Sequence, residues 1–172
     1  MKKLFFAAIA VMAFGVSNAQ EIKFGVKAGL NNTNFTGDAD TDAKSSFYIG
    51  GLADFTVSEK FHVQPELMYS SEGADDDFGI SYLRLPIMAK YYVMEGLSLQ
   101  AGPELAFKIG ADETVDEGTK SLDFGLGFGA GYELKSGLFF DARYNYGLAN
   151  ISDVDGFDVG NAGLQFGLGY RF

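Results

Sequence analysis

Gly125-Leu126-Gly127-Phe128-Gly129-Ala130-Gly131-Tyr132 alternates without a break between glycine and a larger apolar side chain. At an offset of 38 residues, Gly163-Leu164-Gln165-Phe166-Gly167-Leu168-Gly169-Tyr170 repeats it with one Gln in place of a Gly. Side chains alternate across a β-strand, so each run is a strand with one apolar face and one face of almost no volume. Glycine weakens a strand and adds nothing to a wet surface. A face of glycines instead suits the inside of a narrow barrel, where long side chains from neighbouring strands need room.

The same period of two runs outward over the rest of the chain. It predicts eight strands: β1 over 22–31, β2 over 47–57, β3 over 61–70, β4 over 82–93, β5 over 97–109, β6 over 122–134, β7 over 138–147 and β8 over 162–172. One face of each carries no charge, and almost every strand charge lies on the other. Pro65-Glu66-Leu67 also recurs at an offset of 38, as Pro103-Glu104-Leu105, so the repeating unit is one hairpin. Tight turns (Ser58-Glu59-Lys60, Met94-Glu95-Gly96, Lys135-Ser136-Gly137) alternate with loops of about ten to sixteen residues. The expected fold is all-β: an eight-stranded antiparallel up-and-down transmembrane β-barrel.

Apolar side out, rather than in, follows from three features. The polar face is small, with seven glycines from β6 and β8. The apolar face is rich in Phe and in Tyr near strand ends (Tyr69, Tyr91, Tyr132, Tyr144, Tyr146, Tyr170), as in aromatic girdles at bilayer interfaces. The chain closes on Phe166, Leu168, Tyr170 and Phe172 at alternate positions, which resembles the C-terminal assembly signal of outer-membrane barrels and implies their assembly machinery as a partner.

Residues 1–19 read as a cleaved signal peptide: Lys2 and Lys3, thirteen apolar residues over 4–16, and small residues at Ser17 and Ala19. The barrel domain is then 20–172. The formal charge of −10 becomes −12 when the two lysines leave. That excess argues against nucleic acid, which needs a basic face. The absence of Cys rules out a disulfide framework.

The long loops hold 14 acids, Glu72 among them, against Lys44 and Lys120; strands and short turns are neutral. Charges inside a barrel must be paired. A turn pairing Leu134 with Leu138 sets Gly131 opposite Asp141 and Gly129 opposite Arg143. A loop pairing Ser70 with Ile80 sets Glu66 opposite Arg84, with Glu104 reaching Arg84 diagonally. These five, Glu66, Arg84, Glu104, Asp141 and Arg143, form the expected interior polar network. Pro65, Pro86 and Pro103 interrupt strands, where a bulge or an interior polar group is expected to compensate.

Asp38, Asp40, Asp42, Asp75, Asp76 and Asp77 are weak candidates for divalent cations at the loops. Asp38-Ala39-Asp40-Thr41-Asp42 does not make an EF-hand, because Ala43 stands where Gly is needed and Ile49 where Glu is needed. No motif points to a cofactor or an enzyme: the one histidine, His62, faces inward beside a tight turn, without the nucleophile and base of a hydrolase.

The runs Gln64-Pro65-Glu66-Leu67-Met68-Tyr69-Ser70, Tyr82-Leu83-Arg84-Leu85-Pro86-Ile87-Met88-Ala89-Lys90-Tyr91-Tyr92 and Gly102-Pro103-Glu104-Leu105 resemble the outer-membrane protein β-barrel domain family, in its PorT-like branch. The resemblance implies a small integral outer-membrane barrel and transfers no catalytic residue; outer-membrane lipid is the expected partner and a monomer the expected state. The expected role is structural or interactive, with acidic loops outside the cell. The alternative is a narrow porin-like channel, or an accessory to transport or secretion of small solutes. A folded barrel of this kind migrates differently on a denaturing gel before and after boiling; one unshifted soluble species contradicts it.

Overall fold

The computed structural model describes residues 21–37, 44–74, 78–111, 122–148 and 159–172. The expected signal peptide and the six candidate aspartates lie outside the described residues. Eight antiparallel strands close in sequence order, with β8 returning to β1. They are β1 (Ile22–Gly37), β2 (Lys44–Thr56), β3 (Phe61–Ala74), β4 (Phe78–Met94), β5 (Leu97–Ala111), β6 (Leu122–Glu133), β7 (Leu138–Gly147) and β8 (Val159–Arg171). Closure leaves no edge, the one arrangement in which a sheet satisfies its backbone inside lipid.

The faces fall as the alternation predicts. Phe24, Leu30, Ile49, Leu99, Phe128, Phe140 and Phe166 are exposed on the outside. Lys27, Glu66, Arg84, Arg143 and Gln165 are buried inside. Two tight turns depend on glycine at positive φ, Gly96 at 79° and Gly137 at 89°. The glycines of the inner wall make room. An added Cβ at Gly127 would meet Asn145 Oδ1 at 2.9 Å and Arg143 Cδ at 3.2 Å, and one at Gly29 would meet the Tyr48 hydroxyl at 2.8 Å.

The structure departs from the sequence reading at three places. The long-loop ends of the strands run further than the apolar pattern, so β3 and β4 are joined through 75–77 alone and Lys44 and Glu72 belong to strands. Residues 38–43, 75–77, 112–121 and 149–158 keep thirteen acids against Lys120, a net of −12, and the barrel stays neutral. Second, Ser70 pairs with Tyr82, not Ile80, which puts Met68 rather than Glu66 opposite Arg84. Third, no bulge stands at a proline. The register shifts are at Ser81/Tyr82 and Tyr92/Met94. At each proline the ladder skips two pairs and resumes in the same register: between Leu52↔Glu66 and Phe55↔Val63, between Pro65↔Ile87 and Met68↔Arg84, and between Pro86↔Glu104 and Ala89↔Ala101.

A cation on the apolar face near mid-strand has no partner and no water. Phe128→Arg should lower the folding free energy in bilayers by about 2–4 kcal/mol, measured by denaturant titration in liposomes.

Candidate functional site

The lumen is where the chain concentrates its buried chemistry. Six buried carboxylates (Asp54, Glu66, Glu72, Glu104, Asp123, Asp141) meet five buried cations (Lys27, Arg84, Lys90, Arg143, Arg171) among the described residues. They stand at three levels.

At the middle level, Arg143 on β7 grips Glu66 on β3 with both terminal nitrogens, at 3.1 and 2.9 Å, and also donates to Gln100 at 3.2 Å. Lys27 on β1 donates to Asp141 at 2.7 Å and lies 3.4 Å from Glu66. These bonds cross the lumen rather than link neighbouring strands. The two-pronged guanidinium contact is the geometry that best offsets the desolvation of a buried pair. Nearest the tight turns, Arg171 donates to Gln64 at 2.7 Å and to the Tyr92 hydroxyl at 3.0 Å, and it pairs with Glu133. Asp54 lies 3.4 Å from Arg171 and binds His62 Nδ1 at 2.5 Å. Gln64 joins the two levels by donating to Glu66 at 2.6 Å. Toward the long connections, Arg84 donates to Glu72 through two nitrogens and to Glu104 at 2.6 Å. Asn161 and Ser70 donate to Glu72 at 2.5 and 2.7 Å, and Asn31 donates to Ser70 at 2.8 Å.

All five residues of the expected network therefore face the lumen. Arg84 meets Glu104, and Asp141 lies 3.5 Å from Arg143, but Glu66 does not meet Arg84. The two-residue register change gives Arg84 to Glu72, while Glu66 crosses to Arg143 and Lys27. Glu72, placed among the loop acids by its sequence surroundings, is 1% exposed and central to its level. Lys27, Asp54, Lys90, Asp123 and Arg171 also went unnamed, although the alternation puts every one of them on the inner face. His62 packs against Tyr92, ring centroids 4.8 Å apart.

Between Gln64, Lys90, Ser98, Gln100 and Asp141 lies a void of about 10 Å³, at the lower limit for one water. A wider vestibule of about 460 Å³ opens at the tight-turn end, lined by residues that include Asp54, His62, Tyr92, Glu133 and Arg171. Phe166, Leu168, Tyr170 and Phe172 all stand on the outer surface.

A family model described as the outer membrane protein beta-barrel domain matches residues 18–153. The chain belongs to that family. The description does not distinguish a PorT-like branch. This outer-membrane barrel is an integral protein of the outer membrane, in contact with its lipid. A comparison with curated protein sequences gives no match. Among solved structures it is similar to Neisserial surface protein A, at 14% identity over 87% of this chain and 97% of that one, with a TM-score of 0.60. It is similar to the attachment invasion locus protein Ail of Yersinia pestis, at 16% identity over 88% and 99%, TM-score 0.54. OprG of Pseudomonas aeruginosa matches at 16% identity over 90% and 98%, TM-score 0.50. At these identities the likeness is one of fold.

Removing one partner of a buried pair leaves the other charge uncompensated. Glu66→Ala should destabilise the barrel by about 3–5 kcal/mol, and Glu66→Met with Arg143→Met by clearly less than the sum of the single changes. Equilibrium unfolding of the three variants measures the coupling.

Proposed function

We propose that this outer-membrane barrel is a closed anchor that holds its acidic connecting segments on the cell's outer side, as a surface for cationic envelope partners. The observation that carries the reading is the Arg143–Glu66–Lys27–Asp141 cluster, four buried charged side chains joined across the middle of the lumen. A conducting pore needs a continuous wet route, and these bonded side chains stand across the one that the lumen would offer. In barrels of this class the short turns face the periplasm and the long connections the outside, so the net −12 of the connecting segments lies beyond the membrane.

The sign of that charge selects partners. Ail has been solved with the heparin analogue sucrose octasulfate. Thirteen acids against one base would repel such a polyanion here and attract polycations and divalent cations, the latter at Asp38, Asp40, Asp42, Asp75, Asp76 and Asp77. The same reading keeps 1–19 as the export signal, the outward row Phe166, Leu168, Tyr170 and Phe172 as the handle for barrel assembly, and one chain as the working unit.

Two measurements test it. In planar bilayers the purified protein should give no unitary conductance steps; steady, reproducible openings would restore the channel reading. Cells displaying it should be retained on polylysine beads and not on heparin beads, and replacing the thirteen acids with Asn and Gln should abolish the retention. Equal retention by that variant refutes the role of the acids.

A further inference from the structure

The three prolines share more than a type. Along an antiparallel strand, alternate residues direct their N–H groups to opposite neighbours. Three bonds fix the phase here: Val57 N–H to Phe61 O at 3.0 Å, Tyr92 N–H to Lys60 O at 2.8 Å, and Glu133 N–H to Gly96 O at 2.8 Å. Odd residues of β3 therefore face β2, even residues of β4 face β3, and odd residues of β5 face β4. Carried along the observed registers, the missing N–H of Pro65 would have met Ala53 O. That of Pro86 would have met Glu66 O, and that of Pro103 would have met Ile87 O. Each lost bond accounts for the two pairs its ladder skips. Every proline thus stands where its nitrogen should donate, and each weakens a different interface: β2/β3, β3/β4 and β4/β5.

The losses also line up. Pro65 pairs with Ile87, and the continuing register sets Ile87 beside Pro103. The weak points form one row across three consecutive interfaces, with none in the ladders β5/β6, β6/β7 and β7/β8, which run unbroken over their paired lengths. The lumen divides at the same place. Glu66 and Glu104 flank Pro86 on the inner face, yet Glu104 turns to Arg84 at the long-connection end while Glu66 turns to Arg143 and Lys27. The hydrogen bonds described above accordingly fall into two groups, one around Arg84 and Glu72, the other around Arg143, Gln64 and Arg171. The coincidence of a weakened wall with a divided interior is what one bond defect alone would not produce.

We infer that the row Pro65–Ile87–Pro103 is a hinge line in the barrel wall, about which the long-connection halves of β3, β4 and β5, with Glu72, Arg84 and Glu104, tilt relative to the tight-turn halves of the same strands. The hinge does not depend on whether the lumen conducts. Its range of motion is set by one remaining reciprocal bond at each interface, from the N–H groups of Ala53, Glu66 and Ile87 to the proline carbonyls, which the pairs on either side of each gap require.

Amide hydrogen exchange in lipid nanodiscs tests it, since exchange reports local opening. The amides of Leu67, Met88 and Ala101 should exchange at least tenfold faster than those of Phe128, Tyr144 and Phe166 in the opposite wall. Pro65→Ala, Pro86→Ala and Pro103→Ala restore the donors one at a time. Each should slow exchange severalfold at its own interface and leave β6–β8 unchanged. Paired spin labels give a second reading, and the absence of native Cys makes them clean. Labels on Leu83→Cys and Leu164→Cys, beyond the row, should show a distance distribution that narrows in Pro86→Ala. Uniform exchange around the barrel overturns the hinge, as does slowing of all strands alike in the alanine variants. If an alanine variant fails to insert, the wild-type exchange profile decides alone.

Discussion

A backbone amide or carbonyl inside hydrocarbon has no water to fall back on, and the rest of this structure is arranged around that fact. It forces the sheet to close, and closure with eight strands fixes a radius just wide enough for side chains to fill. The small radius then dictates the inner face. Glycine stands opposite several of the charged side chains, so Arg143 lies across from Gly129 and Asp141 across from Gly131 and Gly167. The glycine content that would signal flexibility in a soluble domain is here the volume complement of a charged core.

That core inverts the usual order of a globular protein. The apolar atoms face out and are held by lipid, while the interior is held by ions. Isolated surface ion pairs contribute little, but Glu66, Arg143, Lys27 and Asp141 are almost wholly enclosed and bind in several directions at once. Their worth lies in specificity as much as in stability. A register slip in any one strand would turn its charges into the bilayer and its Phe and Leu side chains into a bed of ions.

Much of this was legible in the sequence, for a reason of periodicity. Wherever a strand lies in the membrane its outer positions must be apolar, so strand number, facing and the β6/β7 register could be read from alternation and one tight turn. Legibility ended where that pressure ends. Beyond the hydrocarbon, Ser71 and Gly73 carry no outward signal, so Glu72 resembled a loop residue and the β3/β4 register was read two residues off. The Glu66–Arg143 contact was hidden for another reason. It spans 77 residues and crosses between β3 and β7, four strands apart, and no pairing rule between neighbours reaches across a barrel. At the prolines, of the two compensations expected, the bulge is not found: the ladders keep their register across the missing bond.

The separation of charge along the sequence has a consequence for crowding. The described strands and tight turns carry no net formal charge, and the connecting segments carry −12. With those segments on the outer side, as proposed above, two molecules would repel through them over the Debye length, roughly 8 Å at physiological ionic strength. Their lateral spacing would then be an electrostatic quantity, contracting as salt rises and setting how densely the barrels pack.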